Sequence, residues 1–141
     1  MIFEQEDIRK ISEILKVEPE FIGGSYILNL FNKELNQLLF LSINNDIDYE
    51  NNEQSSIISV QTQYGYFELH NCTNYMLFEP DEVIFINASE EKVSCLIVSK
   101  DANCSMFSDI KRALLKTDIS QLNSSVLLAA MQLSLIEKVL P

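Results

Sequence analysis

His70 and Cys72 are the two residues whose types and spacing come closest to an active-site pair. His70 is the only histidine of the chain, and Cys72 lies two positions later. On a strand, residues two apart share a face, and a neighbouring base can activate a thiol as a nucleophile. The sequence offers no third group that would orient the imidazole. We therefore expect a histidine near a strand end, an ordinary buried cysteine and no catalytic residues.

The same histidine and the three cysteines, Cys72, Cys95 and Cys104, would together supply four zinc ligands. Structural zinc sites usually draw their ligands from short paired spacings such as Cys-x-x-Cys. This chain contains no such pair. Cys95 and Cys104 are therefore expected to be small buried side chains, and we predict no metal site and no bound cofactor.

An acidic stretch near the middle of the chain resembles the start of a calcium-binding loop. Asp46, Asp48 and Glu50 alternate as the first ligands of such a loop do, but the glycine at its sixth position and the glutamate at its twelfth are missing. Residues 44–56 are polar and rich in asparagine. We predict an exposed, solvated loop over this range that carries negative charge.

Aromatic residues beside Gly65 are the best candidates for a contact surface. Tyr64 and Tyr66 should share one face of an extended segment, opposite Phe67. A sheet with one covered face cannot bury both sides of that segment. We therefore expect Tyr64 and Tyr66 to be exposed, either to a protein partner or to a ligand.

The charge of the chain excludes several classes of function. It has 141 residues, with 21 acids against 10 bases and a formal charge of −11. A nucleic-acid binder or a protein that docks on anionic membranes needs a basic face, so we predict neither. With only three glycines, the chain has no glycine-rich phosphate loop, and it has no Gly-x-Ser-x-Gly motif.

The expected compartment is the cytoplasm. The sequence begins without a basic and apolar leader, and it contains no run of about 18–20 apolar residues. An odd, small number of cysteines is typical of reduced thiols. The abundance of isoleucine, asparagine and serine indicates a bacterial genome rich in A and T.

Apolar spacing predicts one helix, about six strands and then two further helices. The first helix covers residues 4–17, where isoleucines recur at helical spacing before a proline. The predicted strands are 25–31, 37–43, 57–69 (as one long segment), 75–78, 83–87 and 92–98. Because strands and helices are grouped, residues 1–141 should form a single α+β domain with a mostly antiparallel sheet covered by helices.

The two C-terminal helices are predicted from caps and apolar spacing. One should begin at Ser105 or Ser108 and end near residue 116, and the other should cover residues 118–140. The second is apolar around most of its circumference, which is typical of a helix buried on more than one side. It either lies in the core or presents residues such as Met131 and Leu135 to a partner or a second copy.

The leading hypothesis is a non-catalytic protein-interaction module of the escort, chaperone, immunity-protein or adaptor type. A small acidic chain without a catalytic motif suits a basic protein partner, because negative charge keeps it soluble and speeds encounter. The candidate contact residues are Tyr64, Tyr66, His70, Asp46, Asp48, Glu50, Met131 and Leu135.

Two alternatives stay open at this point. One is a small-molecule-binding domain or minor enzyme with an aromatic-lined cavity between Tyr64 and Cys72. The other is a structural homodimer formed through the C-terminal helix. In size and acidity the chain is similar to secretion-system chaperones. Those proteins carry a helix between their groups of strands, whereas residues 57–98 here are predicted to be strands throughout, so no family is assigned.

Overall fold

The computed structural model describes residues 1–48 and 54–111. Within them the chain forms one helix followed by nine antiparallel strands. The elements are α1 (Gln5–Leu15), β1 (Glu20–Ile22), β2 (Ser25–Asn32), β3 (Gln37–Asp48), β4 (Gln54–Thr62), β5 (Tyr66–His70), β6 (Asn74–Phe78), β7 (Glu82–Ala88), β8 (Lys92–Ser99) and β9 (Asn103–Lys111). Mostly antiparallel sheet with an N-terminal helix is thus confirmed.

The strands make two sheets that share one core. Strands β1 to β5 pair in sequence order in a five-stranded sheet, and β6 to β9 pair in sequence order in a four-stranded sheet. One face of each sheet packs with α1 in the main core. Its fully buried large side chains include Phe3, Ile11, Leu15, Leu28, Leu39, Leu41, Ile43, Ile58, Leu69, Phe85 and Leu96.

Helix α1 is positioned by an apolar stripe and by its N-terminal polar contacts. Ile8, Ile11 and Leu15 are buried on one side. The Asp7 carboxylate accepts a hydrogen bond from the Glu4 backbone N–H at 2.8 Å and another from the Tyr75 hydroxyl at 2.6 Å. The second bond ties the helix start to β6. No helix of the described residues is long and apolar enough to cross a membrane.

The predicted loop over 44–56 is wrong at both ends, because β3 continues to Asp48 and β4 begins at Gln54. A bulge interrupts their pairing between Asn44 and Ile47. There the Asn45 side chain binds the backbone of Phe3 twice, with its oxygen 3.0 Å from the Phe3 nitrogen and its nitrogen 2.8 Å from the Phe3 oxygen. Asn45, one of the asparagines that indicated a loop, thus satisfies backbone groups beside the strand.

The predicted single strand over 57–69 is two strands joined by a tight turn. The Thr62 hydroxyl oxygen accepts hydrogen bonds from the backbone N–H groups of Tyr64 and Gly65, each at 3.1 Å. The Thr62 N–H donates to the Gly65 carbonyl at 2.9 Å. A threonine side chain therefore closes this hairpin. The turn contains neither Asn-Gly nor Asp-Gly, the usual sequence signals of a hairpin, so the sequence did not predict it.

The predicted helix from Ser105 or Ser108 is also wrong, because β9 occupies Asn103–Lys111. A register shift in its pairing with β8 places Phe107 opposite Cys95 and Ile110 opposite Val93. The extra residue of the bulge lets Phe107 and Ile110 share a face although they are three apart. A spacing of three between apolar residues is also typical of a helix, and this explains the wrong prediction. The predicted helix over 118–140 lies outside the described residues.

We expect Tyr75→Phe to lower the free energy of unfolding by about 1 kcal/mol, because the change removes one hydrogen bond to a carboxylate. Tyr26→Phe is the matched control, since the Tyr26 hydroxyl donates to no group within the described residues. Urea unfolding at pH 7, followed by circular dichroism, gives both values. Equal stability of the two variants would show that the bond between helix and strand contributes nothing.

Candidate contact surface on the five-stranded sheet

Large apolar side chains lie in water on the face of the five-stranded sheet that points away from the main core, called here the outer face. Phe31, Leu38, Phe40 and Tyr66 form what we call the apolar patch. Phe40 is 45% exposed and Tyr66 is 54% exposed. Scattered apolar side chains are normal on protein surfaces, but a contiguous group is typical of a contact site.

Strand register places three of these residues side by side and Tyr66 one strand beyond them. Phe31 pairs with Leu38 across β2 and β3, and Phe40 lies diagonally next to that pair. Gln61 of β4 connects the group across the sheet, since it pairs with Phe40 on one side and Tyr66 on the other. Side chains on directly opposed and diagonal positions are close enough to touch. The patch residues therefore lie on β2, β3 and β5 at one end of the sheet, with the polar Gln61 of β4 between Phe40 and Tyr66.

Tyr64 lies beside the patch but not on a strand. It is the second residue of the turn between β4 and β5, and its side chain is 85% exposed. The prediction that Tyr64 and Tyr66 share a strand face is wrong for Tyr64, because the hairpin ends the alternation there. Leu35 is exposed in the neighbouring turn between β2 and β3. Both turns are at the same end of the sheet, so they border the patch.

Polar side chains continue the outer face along β5. The Tyr66 hydroxyl donates to Glu68, and the His70 Nε2 atom lies 2.7 Å from the other oxygen of that carboxylate. These hydrogen bonds, first from Tyr66 and then from His70, lower the pKa of the Glu68 carboxyl. The same carboxylate raises the pKa of Tyr66. Glu68 is thus held as an anion next to the apolar patch.

His70 and Cys72 do not face each other as a reactive pair. His70 is exposed and meets Glu68, whereas Cys72 is buried in the main core and its thiol donates to the Asn74 carbonyl at 3.2 Å. Burial raises the pKa of Cys72 to about 11. A thiol with a raised pKa is a poor nucleophile near neutral pH. The buried cysteine expected from the sequence is therefore present.

The remaining cysteines are also far from a ligand set. Cys95 belongs to a second apolar cluster, on the other side of the four-stranded sheet from the main core, and its pKa is raised to about 12 by burial. Cys104 is partly buried and its pKa is raised for the same reason. Within the described residues, no three or more histidine, cysteine or acidic residues are grouped as a metal would require.

The predicted acidic contacts are separated from the aromatic ones. Asp46 and Asp48 are on the last part of β3, where Asp48 pairs with Gln54 at the end of the sheet opposite the apolar patch. The eight residues from Phe40 to Asp48 correspond to about 26 Å of strand. Glu50, Met131 and Leu135 lie outside the described residues.

A small cavity lies beside the patch, between the two sheets. It has a volume of about 190 Å³ and is lined by residues that include Leu38, Tyr64, Phe67 and Cys104. Ligand pockets for drug-sized molecules usually measure about 300–1,000 Å³. The cavity is below that range, although it is lined by one of the tyrosines that sequence reasoning selected.

Sequence reasoning missed Phe31, Leu38 and Phe40 as surface residues. The signal was present, because β2 and β3 carry apolar residues on both faces of the alternation, with Leu30 and Leu39 buried in the main core. Strands that are apolar on both faces are usually buried on both faces, so the sequence predicts burial of all these residues. In the structure no described residue covers the outer face, and the apolar side chains on that face are therefore exposed.

Alkaline pH should weaken the fold through the buried thiols. The folded pKa of Cys72, about 11, exceeds the ordinary value of 9.0, so its contribution is complete below pH 9 and is lost as pH rises to 11. From pH 9 to pH 10, we expect wild type to lose about 1 kcal/mol more unfolding free energy than Cys72→Ala does. Urea titrations at both pH values measure this. Cys104→Ala should retain more of the wild-type loss, and identical losses in wild type and Cys72→Ala would contradict the assignment.

Comparison with known proteins gives no match: no family model, no curated protein and no solved structure corresponds to this chain. Function is therefore derived from the chain's own residues, and the apolar patch on the outer face is the feature with the clearest bearing on it.

Proposed function

We propose that this chain is a non-catalytic protein-interaction module that binds a basic protein partner through the outer face of its five-stranded sheet. The observation that carries the proposal is the apolar patch: four large exposed side chains on one face of the sheet, three together on β2 and β3 and one across β4 on β5. Aromatic side chains are enriched in protein interfaces, because each buries a large area while losing few rotamers.

The rim of the patch favours a basic partner. Glu68 lies next to Tyr66 on β5, and Glu34 lies in the turn that follows β2, one residue from the exposed Leu35. The whole chain carries a formal charge of −11, which adds a negative electrostatic potential around the patch. A partner with arginine or lysine around an apolar centre would be attracted at long range and could stack its guanidinium groups on the exposed rings.

A homodimer through this patch is less favourable than a complex with a basic protein. Two copies would bring together two chains that each carry a formal charge of −11. Like charges at close range cost free energy and slow association. The same charge that opposes self-association therefore favours a partner of opposite sign.

A small-molecule function is the second candidate, and the cavity beside Leu38 and Phe67 is the observation in its favour. At about 190 Å³ the cavity would take only a compact ligand. Saturable binding of a ligand to the purified protein, lost in Leu38→Trp because the larger side chain fills the space, would support this candidate over a protein partner.

Substitution of residues in the apolar patch should weaken binding of the partner. We expect Phe40→Ser/Tyr66→Ser to weaken binding of the specific partner at least tenfold, since truncation of interface aromatics commonly costs 1–2 kcal/mol or more. Affinity purification from the protein's own cells, with mass-spectrometric quantification, compares the variants. Phe21→Ser is the control, because Phe21 is equally an exposed phenylalanine but lies on β1, at the other end of the sheet.

A protein that is captured by wild type and by Phe21→Ser but lost with the double variant would meet the expectation. If every captured protein is retained by the double variant while both variants melt like wild type, the patch is not the binding surface.

The charge near the patch should matter more than the distant charge. We expect Glu34→Lys/Glu68→Lys to slow association with the captured partner about tenfold and to reduce its salt dependence. Asp46→Lys/Asp48→Lys changes the charge equally but lies about 20–26 Å from Phe40 along β3. Stopped-flow rates at 0.1 M salt, where screening acts over about 10 Å, distinguish the pairs. Equal slowing by both would indicate that only net charge steers the partner.

A further inference from the structure

Strand β5 lies at one edge of the five-stranded sheet, and among the described strands it pairs only with β4. An edge strand carries backbone N–H and C=O groups that point away from the sheet and can pair with another chain. Tyr66 and the His70 side chain are more than half exposed, and the Glu68 side chain is 36% exposed. A second chain can therefore reach β5 from solvent.

The register of the hairpin between β4 and β5 identifies the backbone groups that point outwards. The Thr62 N–H donates to the Gly65 carbonyl at 2.9 Å, so these two residues form a hydrogen-bonded pair. Their pairing continues along β5 without a register shift, and bonded pairs alternate with non-bonded pairs in an antiparallel ladder. The N–H and C=O groups of Tyr66 and Glu68 therefore point away from β4.

The contact made by His70 agrees with this orientation. His70 follows Glu68 by two residues, so its backbone groups point to the same side, and its carbonyl accepts a hydrogen bond at 2.8 Å from the Asn87 side chain of β7. Asn87 thus occupies the end of the edge near His70. No hydrogen bond between described residues reaches the outward backbone groups of Tyr66 and Glu68.

The other three sheet edges carry features that oppose strand addition. Strand β1 has three residues and follows Pro19, and β9 contains the bulge in its pairing with β8. Strand β6 is joined to α1 by the hydrogen bond between Tyr75 and Asp7. Short strands, prolines, bulges and covering helices are the usual protection of an edge. Strand β5 has five residues, neither proline nor lysine, and a regular register, so it is the least protected edge of the described strands.

We propose that the basic partner adds an extended segment to the free edge of β5, antiparallel to it, as a sixth strand of the sheet. This strand addition rests on the proposed function, since the same partner that covers the apolar patch provides the segment. Backbone hydrogen bonds contribute affinity in such complexes, and alternate side chains contribute specificity. A second copy of this chain suits the edge less well, because it would bring another formal charge of −11 beside Glu68.

The side chains of β5 determine the composition of the added segment. The residue opposite Glu68 would lie about 5.5 Å from it between Cα atoms, with its side chain on the outer face. The Glu68 carboxylate there accepts a hydrogen bond from Tyr66 and lies 2.7 Å from the His70 Nε2 atom, and it favours lysine or arginine opposite. The neighbouring residue of the segment would point to the other face, beside the partly exposed Phe67, and is therefore apolar. The segment alternates basic and apolar residues.

A synthetic peptide tests strand addition on the full-length chain. The probe is an acetylated and amidated peptide of alternating lysine and valine, about eight residues long, whose lysines share one face when it is extended. We expect saturable binding to wild type in an NMR chemical-shift titration. At saturation, hydrogen exchange at the N–H groups of Tyr66 and Glu68 should slow about tenfold or more, because they become hydrogen-bonded. Contact through side chains alone would leave these two exchange rates unchanged.

Methylation of alternate backbone nitrogens in the peptide gives a matched pair of probes. In an antiparallel strand with lysine opposite Glu68, the lysine N–H groups point towards β5 and the valine N–H groups point away. Peptides methylated on the lysine backbone nitrogens should therefore bind about tenfold more weakly than peptides methylated on the valine backbone nitrogens. The two probes have the same charge and composition, so attraction to the acidic chain is equal for both.

A proline variant tests the same edge in the protein. Glu68→Pro removes an outward N–H, and proline is tolerated on edge strands where the N–H faces solvent. Glu68→Ala is the control, because both variants lose the carboxylate. We expect the unmodified peptide to bind Glu68→Pro about tenfold more weakly than Glu68→Ala. If Glu68→Pro does not fold, the two methylated peptides decide the matter with wild-type protein.

Three results would overturn strand addition at β5. These are no saturable binding of the unmodified peptide at about 1 mM, binding without protection of the Tyr66 and Glu68 N–H groups, and equal or reversed affinities of the two methylated peptides. None of them decides the proposed function, which fails only if the double variant of Phe40 and Tyr66 retains every captured protein. Failure of the strand addition and failure of the partner surface are therefore distinguishable.

Discussion

Coverage of sheet faces is the constraint on which the rest of this structure depends. Both sheets turn one apolar face towards α1 and each other, and this shared burial forms the main core. The remaining two faces differ chemically. On the outer face, Ser42 pairs with Ser59, which in turn pairs with Glu68, so polar groups interrupt the apolar ones. The face of the four-stranded sheet that points away from the main core carries Val93, Cys95 and Ile97 on β8, all of them buried. One face can therefore meet water or a partner, whereas the other is buried.

The polar side chains with described partners mostly hold backbone and strands in place. Asp7 caps α1 and binds Tyr75, Asn45 satisfies the backbone of Phe3, and Thr62 closes the hairpin between β4 and β5. The hydrogen bonds of these groups fix the backbone and join neighbouring elements. Burial raises the pKa values of the thiols and favours the protonated form. These observations support the proposed role in protein recognition.

The sequence predicted α1, most of the strands and the exposure of Tyr66, because these depend on local alternation and on the 3.6-residue period. The prediction failed where the alternation of apolar and polar side chains was interrupted. The bulge in β9 puts Phe107 and Ile110 on one face, and their spacing of three is also typical of a helix. The asparagine-rich end of β3 has the composition of a loop, although it pairs with β4. The apolar patch was missed for a different reason. Phe40 and Leu39 are equally apolar, and only the arrangement of the two sheets decides which of them is covered.

In the proposed function the charge and the patch act over different distances, and their combination restricts the kind of partner. The formal charge of −11 attracts a basic partner before contact, and the acids nearest the patch act most strongly because salt screens charges beyond about 10 Å. The patch acts at contact, and its rings gain free energy only when water leaves them. An apolar surface without the charge would bind itself or any other apolar surface, and the charge without the patch would attract any cation weakly. Together they favour a partner that is basic at its rim and apolar at its centre, because only such a surface satisfies both conditions at once.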